Sequence, residues 1–204
     1  MPDIKQAETF LNALGGNGDF VFQTFFDPKE PKTGKFDPVA RVKTGTLEDN
    51  MVILTALSRE KAGIFVQVNE GLDRGKDHIT GIRALWVDVD DDQYSAEIVE
   101  HLMAHMPRPS ISVNSSKNKF HFYWLVSDCP VENFKLAQKS LAAKFATDKA
   151  VSNLDRVMRL PGFPHQKYDA YDVTCKHFDK VYTYKEIGDA AGKAPILQLG
   201  ADLT

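Results

Sequence analysis

Two aspartates one residue apart, Asp88 and Asp90, close an apolar segment and are well placed to bind a cation. The run ALWVDVD (84–90) is typical of a buried strand, and strand side chains alternate between faces. Both carboxylates are therefore expected to point the same way. Like charges on one face repel each other, and a divalent metal between them would remove that repulsion. A solvated strand exit, extended by Asp91 and Asp92, remains an equal alternative.

A second polar group lies in SSKNKFHFYW (115–124), where a turn leads into a strand. Alternation places His121 and Tyr123 on one face of that strand. His121, which follows the Ser/Lys/Asn turn, could hold a phosphate or a nucleotide sugar. Lys117 and Lys119 add positive charge that suits a triphosphate. An ordinary hairpin with a half-buried histidine is the alternative.

A third group surrounds RVMRLPGF (156–163). Arg156 and Arg159 flank apolar residues and could clamp phosphates through bidentate guanidinium contacts, which Lys167 would extend. Surface ion pairs between these arginines and Asp148 or Asp155 are the alternative.

The composition limits the class of protein to which the chain can belong. The 204 residues are 43% hydrophobic and 26% charged, which is ordinary for a soluble globular domain. A net charge of -3 argues against a generally basic nucleic-acid coat but leaves room for a local basic groove. The two cysteines have no CxxC spacing, and we see neither a signal segment nor a long apolar run. We therefore expect a cytoplasmic protein with no membrane partner.

Periodicity and turn residues predict the elements that position these groups. We expect an α+β domain with a mixed sheet. The predicted helices cover residues 4–14, 48–59, 94–105 (with Ser95 as its cap) and 131–147. The predicted strands cover residues 19–26, 40–44, 63–69, 83–90, 110–113, 120–126, 171–178 and 181–184, with a weakly structured tail from Gly192.

In this order, the three groups resemble the motifs of the archaeo-eukaryotic primase superfamily, and most closely its RepB-like branch in plasmid and phage replication proteins. The resemblance covers roughly residues 60 to 170, and RVMRLPGF followed by Lys167 is its most specific part. The chain departs from the family at His165, where an asparagine is usual. The resemblance implies an α+β primase core with a mixed or antiparallel sheet and an RRM-like unit packed by helices.

The same resemblance implies one catalytic domain over residues 1–190, with an N-terminal α/β part to about residue 60, a motif-bearing part to 190, and a tail or linker over 191–204. It implies a primase or primase-polymerase that synthesises primers on single-stranded DNA from NTPs or dNTPs by two-metal nucleotidyl transfer. A metal-dependent nuclease and a non-catalytic replication-initiator module are the competing interpretations. A replicative helicase would lie on another chain or in a missing C-terminal region.

The resemblance also assigns site residues. It implies Mg²⁺ or Mn²⁺ held by Asp88, Asp90 and Asp148, with Asp155 as the fallback third ligand. His121 would contact the phosphates of the incoming nucleotide. The implied triphosphate contacts are Ser116, Lys117, His121, Arg156, Arg159 and Lys167. On the predicted long helix, Lys135, Lys139 and Lys144 are candidate contacts to the template backbone, and a solvated helix face is an equal alternative for them.

Overall fold

Two four-stranded sheets organise the chain in a computed structural model that describes residues 2–16, 18–29, 37–147 and 149–199. The first sheet has the order β2-β1-β3-β9, and every neighbouring pair is antiparallel. Its strands are β1 (Phe20–Phe26), β2 (Arg41–Gly45), β3 (Ala62–Gln67) and β9 (Val157–Arg159). The last of these strands comes from the distant RVMRLPGF segment, so the first sheet carries the third of the predicted groups.

The second sheet carries the two aspartates and the histidine. Its order is β10-β7-β8-β6, built from β6 (Ala84–Val89), β7 (Ile111–Ser116), β8 (Lys119–Leu125) and β10 (Thr174–His177). Because β6 and β7 both run antiparallel to β8, they are parallel to each other with β8 between them. The helix α3 (Ser95–His105) makes this connection, which is a split β-α-β unit.

The edge of β6 is covered by the helix α4 (Val131–Lys144). The Gln138 side chain accepts the backbone N–H of Trp86 at 3.2 Å and donates to the carbonyl of the same residue. The free N–H and carbonyl groups of an exposed edge strand can pair with a strand of another chain. Here the Gln138 amide forms hydrogen bonds with two of these groups instead. The strand that carries Asp88 is thereby held on both sides, by β8 and by α4.

One continuous apolar core joins the two sheets. The helix α1 (Ile4–Gly15) packs Phe10 edge-on against Tyr123 of β8, with the ring centroids 5.5 Å apart. The helix α2 (Leu47–Arg59) begins with a capping box between Thr46 and Asp49. A short hairpin of β4 (Glu70–Gly71) and β5 (Ile79–Gly81) leads into β6.

The α+β expectation is confirmed, and several details of the sequence prediction are corrected. The predicted strand over 181–184 is wrong, since only Tyr182 bridges to Val126, and the helix α5 (Tyr184–Lys193) follows. Ser95 does not cap α3, because Tyr94 precedes the helix and no side chain caps it. The long helix ends at Lys144, before Ala146 adopts a left-handed φ of 51°. No helix in the described ranges is long and apolar enough to cross a membrane.

Candidate functional site

A cleft of about 690 Å³ lies between the end of β9 in the first sheet and the ends of β6, β7 and β8 in the second. The loop after β9 forms its rim. This cleft brings together most of the residues that the sequence predicted for the site. They are Asp88, Asp90, Ser116, Lys117, His121, Arg156, Arg159 and Lys167.

Carboxylates form one wall of the cleft. Asp88 is 16% exposed near the end of β6, and its Oδ1 lies 3.6 Å from Nε2 of His121 on the neighbouring strand. Asp90 follows the strand and is 64% exposed, with its Oδ1 2.8 Å from Nζ of Lys119. Asp92 also lines the cleft and lies 3.6 Å from the same ammonium. Asp91 shapes the loop instead, because its Oδ1 accepts the backbone N–H groups of the two residues that follow Asp92.

His121 is a neutral side chain at this wall. It is buried, and burial lowers its pKa to about 3. The positive charge of Arg159 lowers this pKa further, and the negative charge of Asp90 opposes the fall. The Tyr123 hydroxyl lies 3.3 Å from Nδ1, and burial raises the pKa of that phenol well above its usual value. Tyr123 therefore stays protonated and donates to Nδ1, which leaves the ring proton on Nε2, facing Asp88.

Arg159 dominates the opposite wall through a buried ion pair that the sequence analysis did not predict. Its two terminal nitrogens donate to the Asp27 carboxylate at 3.0 and 2.6 Å, and the two side chains are 14% and 5% exposed. Its guanidinium also lies over the Phe65 ring, 4.8 Å from the centroid. Arg159 therefore pairs with Asp27 and not with Asp155, while Asp148 lies outside the described residues.

Asp27 follows β1 and lies 132 positions from Arg159 in sequence. It also accepts the backbone N–H of Gln166 at 2.6 Å. An acidic residue directly after an apolar strand was the single signal available in the sequence, and such residues are common at strand exits. The pairing was visible only once the sheet order joined β9 to β3 and β3 to β1.

The remaining predicted anion contacts come from turns and loops. Lys117 and Asn118 form a two-residue turn between Ser116 and Lys119, and Asn118 tolerates its φ of 59°. Arg156 lines the cleft, and its Nε is buried without a hydrogen-bond partner in the described part of the chain.

His165, where the chain departs from the family pattern, also lines the cleft. Its Nδ1 lies 3.1 Å from the Ser115 carbonyl, so Nδ1 carries the proton that it donates. Burial lowers the pKa of His165 most, and the positive charge of Arg159 lowers it further.

The predicted third metal ligand is not placed. Asp148 lies outside the described residues, and within the described ranges no three acidic, histidine or cysteine side chains cluster as a metal site. The fallback ligand Asp155 lies 3.4 Å from Arg74 and lines a neighbouring pocket rather than the cleft. Its position does not support a role as the third carboxylate.

Two histidines of α3 and one predicted template contact have structural partners outside the cleft. His101 and His105 lie one turn apart and both bond to backbone carbonyls, of Pro195 at 3.1 Å and of His101 at 3.0 Å. Lys144 donates to the Ala194 carbonyl at 2.7 Å, just after the last residue of α5, so the structure does not support its role as a template contact.

Comparison with known proteins identifies a family and similar folds. The family model for the RepB DNA-primase N-terminal domain matches residues 66–187. The fold is similar to the archaeo-eukaryotic primase (AEP) domain of the cyanophage S-2L primase-polymerase, with a TM-score of 0.76 and 21% identity over 95% of this chain and 99% of that one. No curated protein matches the sequence.

The fold is also similar to primase RepB′, at 18% identity. For one structure of that primase the TM-score is 0.65, over 93% of this chain and 62% of the other. For its catalytic domain in complex with initiator DNA the TM-score is 0.66, over 93% of both chains. With a family model covering more than half of its length, the chain belongs to the family of RepB DNA-primase N-terminal domains.

Proposed function

We propose that this chain is the catalytic domain of a DNA primase or primase-polymerase that makes primers on a single-stranded DNA template during plasmid or phage replication. The observation that carries the proposal is the cleft itself, in which a carboxylate wall faces a wall of arginine and lysine. Nucleotidyl transfer needs both, because its substrate is a polyanion that reacts at a phosphorus atom. The similar solved structures are named as a primase-polymerase and a primase.

The carboxylate wall fits Mg²⁺ or Mn²⁺. Asp88 and Asp90 present hard oxygen ligands on the same wall, and Lys119 places a cation against Asp90 in the described structure. Asp148 would be the third ligand. Bound metal ions of this kind lower the pKa of an attacking 3′-hydroxyl and neutralise the leaving phosphates.

The chain's own residues would hold the triphosphate against that wall. Arg156, Lys117 and Lys167 supply positive charge, and the Ser116 hydroxyl can donate to a phosphate oxygen. His121 acts as a neutral donor through Nε2, because its pKa of about 3 keeps it uncharged. Arg159 is held by Asp27, so it keeps a positive charge at a fixed position in the wall. Its N–H groups that do not bond to Asp27 can donate to phosphate oxygens.

The test is incorporation of labelled nucleotides on unprimed single-stranded DNA with Mg²⁺ or Mn²⁺. We expect Asp88→Asn and Asp90→Asn each to lower the rate about a thousandfold or more, as removal of a metal ligand does. Asp91→Asn is the matched control, because Asp91 lies outside the cleft and asparagine keeps the oxygen that accepts the loop N–H groups. Full activity of Asp88→Asn would contradict the assignment, and metal-dependent cleavage of DNA without synthesis would support the nuclease instead.

A further inference from the structure

An exposed tyrosine lies between two lysines at the rim of the cleft. Tyr168 is 70% exposed, although it lines the same cleft as the carboxylates. Nζ of Lys29 donates to its hydroxyl at 3.3 Å. The ammonium groups of Lys29 and Lys167 lie 5.7 and 5.9 Å from the ring centroid. We call these three residues the rim cluster.

The backbone holds the rim cluster together. The N–H of Lys29 donates to the carbonyl of Lys167 at 3.1 Å, so the segment after β1 is tied to the loop after β9. Two residues before Lys29, Asp27 binds Gln166 and Arg159. The buried ion pair therefore anchors both segments from which the cluster projects.

The chemistry of the rim cluster matches single-stranded nucleic acid. A largely exposed aromatic ring offers a face on which a base can stack, and adjacent ammonium groups pair with the phosphates that flank that base. In duplex DNA the faces of the bases are covered by stacking. Duplex DNA can therefore pair its phosphates with the lysines, but it has no free base to stack on the ring. Asp169 also lines the rim, and the two lysines leave the cluster with a net positive charge.

The cluster also extends the basic wall of the cleft. The chain carries a net charge of -3, so a polyanion is attracted only by local positive regions. Lys144, which the sequence suggested as a template contact, is bonded to the end of α5. Lys167 and Tyr168 are instead continuous with the cleft wall that bears Arg156.

We infer that Lys29 and Tyr168, beside Lys167, form a contact site for single-stranded DNA at the mouth of the cleft, with one base stacked on Tyr168 and the adjacent phosphate paired with Lys29. This inference rests on the proposed function, for which it names the position where the template enters.

Equilibrium binding of a fluorescent oligothymidylate, measured by anisotropy over a range of salt concentrations without nucleotide or metal, tests the inference. Tyr168→Ala should weaken binding about tenfold with little change in salt dependence, since stacking carries no counterion release. Lys29→Ala should reduce the slope of log K against log salt by about 0.7, the value for one phosphate on a single strand. Tyr168→Phe keeps the ring and should bind within about threefold of the unmodified protein.

Controls separate this inference from the proposed function. Lys180→Ala removes an exposed lysine that does not line the cleft, so it should leave both affinity and slope unchanged. If Tyr168→Ala binds the oligothymidylate as the unmodified protein does, the rim cluster is not the contact site, whatever the catalytic result. An equal loss of affinity for a blunt hairpin duplex would also overturn it. If binding falls as expected while the unmodified protein incorporates no nucleotide, the contact stands and the catalytic proposal fails.

Discussion

The ion pair between Asp27 and Arg159 should contribute more to stability than an ordinary surface pair. Its side chains are 5% and 14% exposed, and two N–H groups meet the two carboxylate oxygens at 3.0 and 2.6 Å. Breaking a buried pair of this kind by removing one partner costs about 3–5 kcal/mol, because the other charge stays buried. Asparagine at position 27 keeps one acceptor oxygen, so we expect Asp27→Asn to lower the free energy of unfolding by about 3 kcal/mol.

A double-mutant cycle measures that coupling directly. Urea unfolding of Asp27→Asn, Arg159→Gln and the double variant gives three changes in the free energy of unfolding. The two amides of the double variant can bond to each other without a buried charge, so the double change should be smaller than the sum of the single changes by about 2 kcal/mol. A coupling energy below about 0.5 kcal/mol would refute the reasoning, since it would mean that solvent already screens the pair.

Two further predictions concern the turn that ends β9 and the buried histidine. Gly162 has a φ of 86°, and a Cβ there would lie 2.1 Å from the backbone oxygen of Asp3, so Gly162→Ala should destabilise the fold by about 3 kcal/mol or more in urea unfolding. Gly188→Ala in α5 is its control, because a Cβ there meets no atom within 4 Å. Alanine at this position should stabilise the helix by up to about 1 kcal/mol. Equal effects of the two substitutions would contradict the clash at Gly162. For His121, the folded-state pKa of about 3 lies below the ordinary value of 6.5, so protonation favours the unfolded chain and stability falls as the pH drops below about 6.5. Relative to His121→Gln, the unmodified protein should lose about 2 kcal/mol between about pH 7 and pH 4.5, and a pH-independent difference would show that His121 titrates normally.

The elements that carry the site could be predicted from the sequence because the signals are local. Alternation in ALWVDVD predicted the strand β6, and the register of β8 then placed His121 opposite Asp88. The helix α5 also had a local signal that was not used. Thr183 and Glu186 form a capping box, and Ile187 and Ala191 are buried one turn apart. The two glycines in that segment, which lower helix propensity, hid the pattern.

The partners of the site residues could not be predicted, because they depend on the order of strands in the sheet. Nothing in the sequence near Arg159 indicates that β9 joins a sheet formed from residues 20–67, yet that pairing brings the guanidinium to Asp27. For Asp155 the sequence offered a choice between a metal ligand and an ion pair, and the position of Arg74 favours the ion pair. Charged residues at turns pair with whatever the fold brings near them, so spacing alone could not make these assignments.

The N-terminal segment is therefore part of the site and not an accessory to it. The family match begins at residue 66, within β3, whereas Asp27, Lys29 and Phe65 precede it. A chain that began at residue 66 would keep Asp88, Asp90 and His121. It would lose most of the strand with which β9 pairs, and the buried guanidinium of Arg159 would lose its counterion. Since an unpaired buried charge costs several kcal/mol, the basic wall could not keep its described geometry. The carboxylate wall comes from the family-matched segment alone, but the basic wall that faces it also requires Asp27, which precedes that segment.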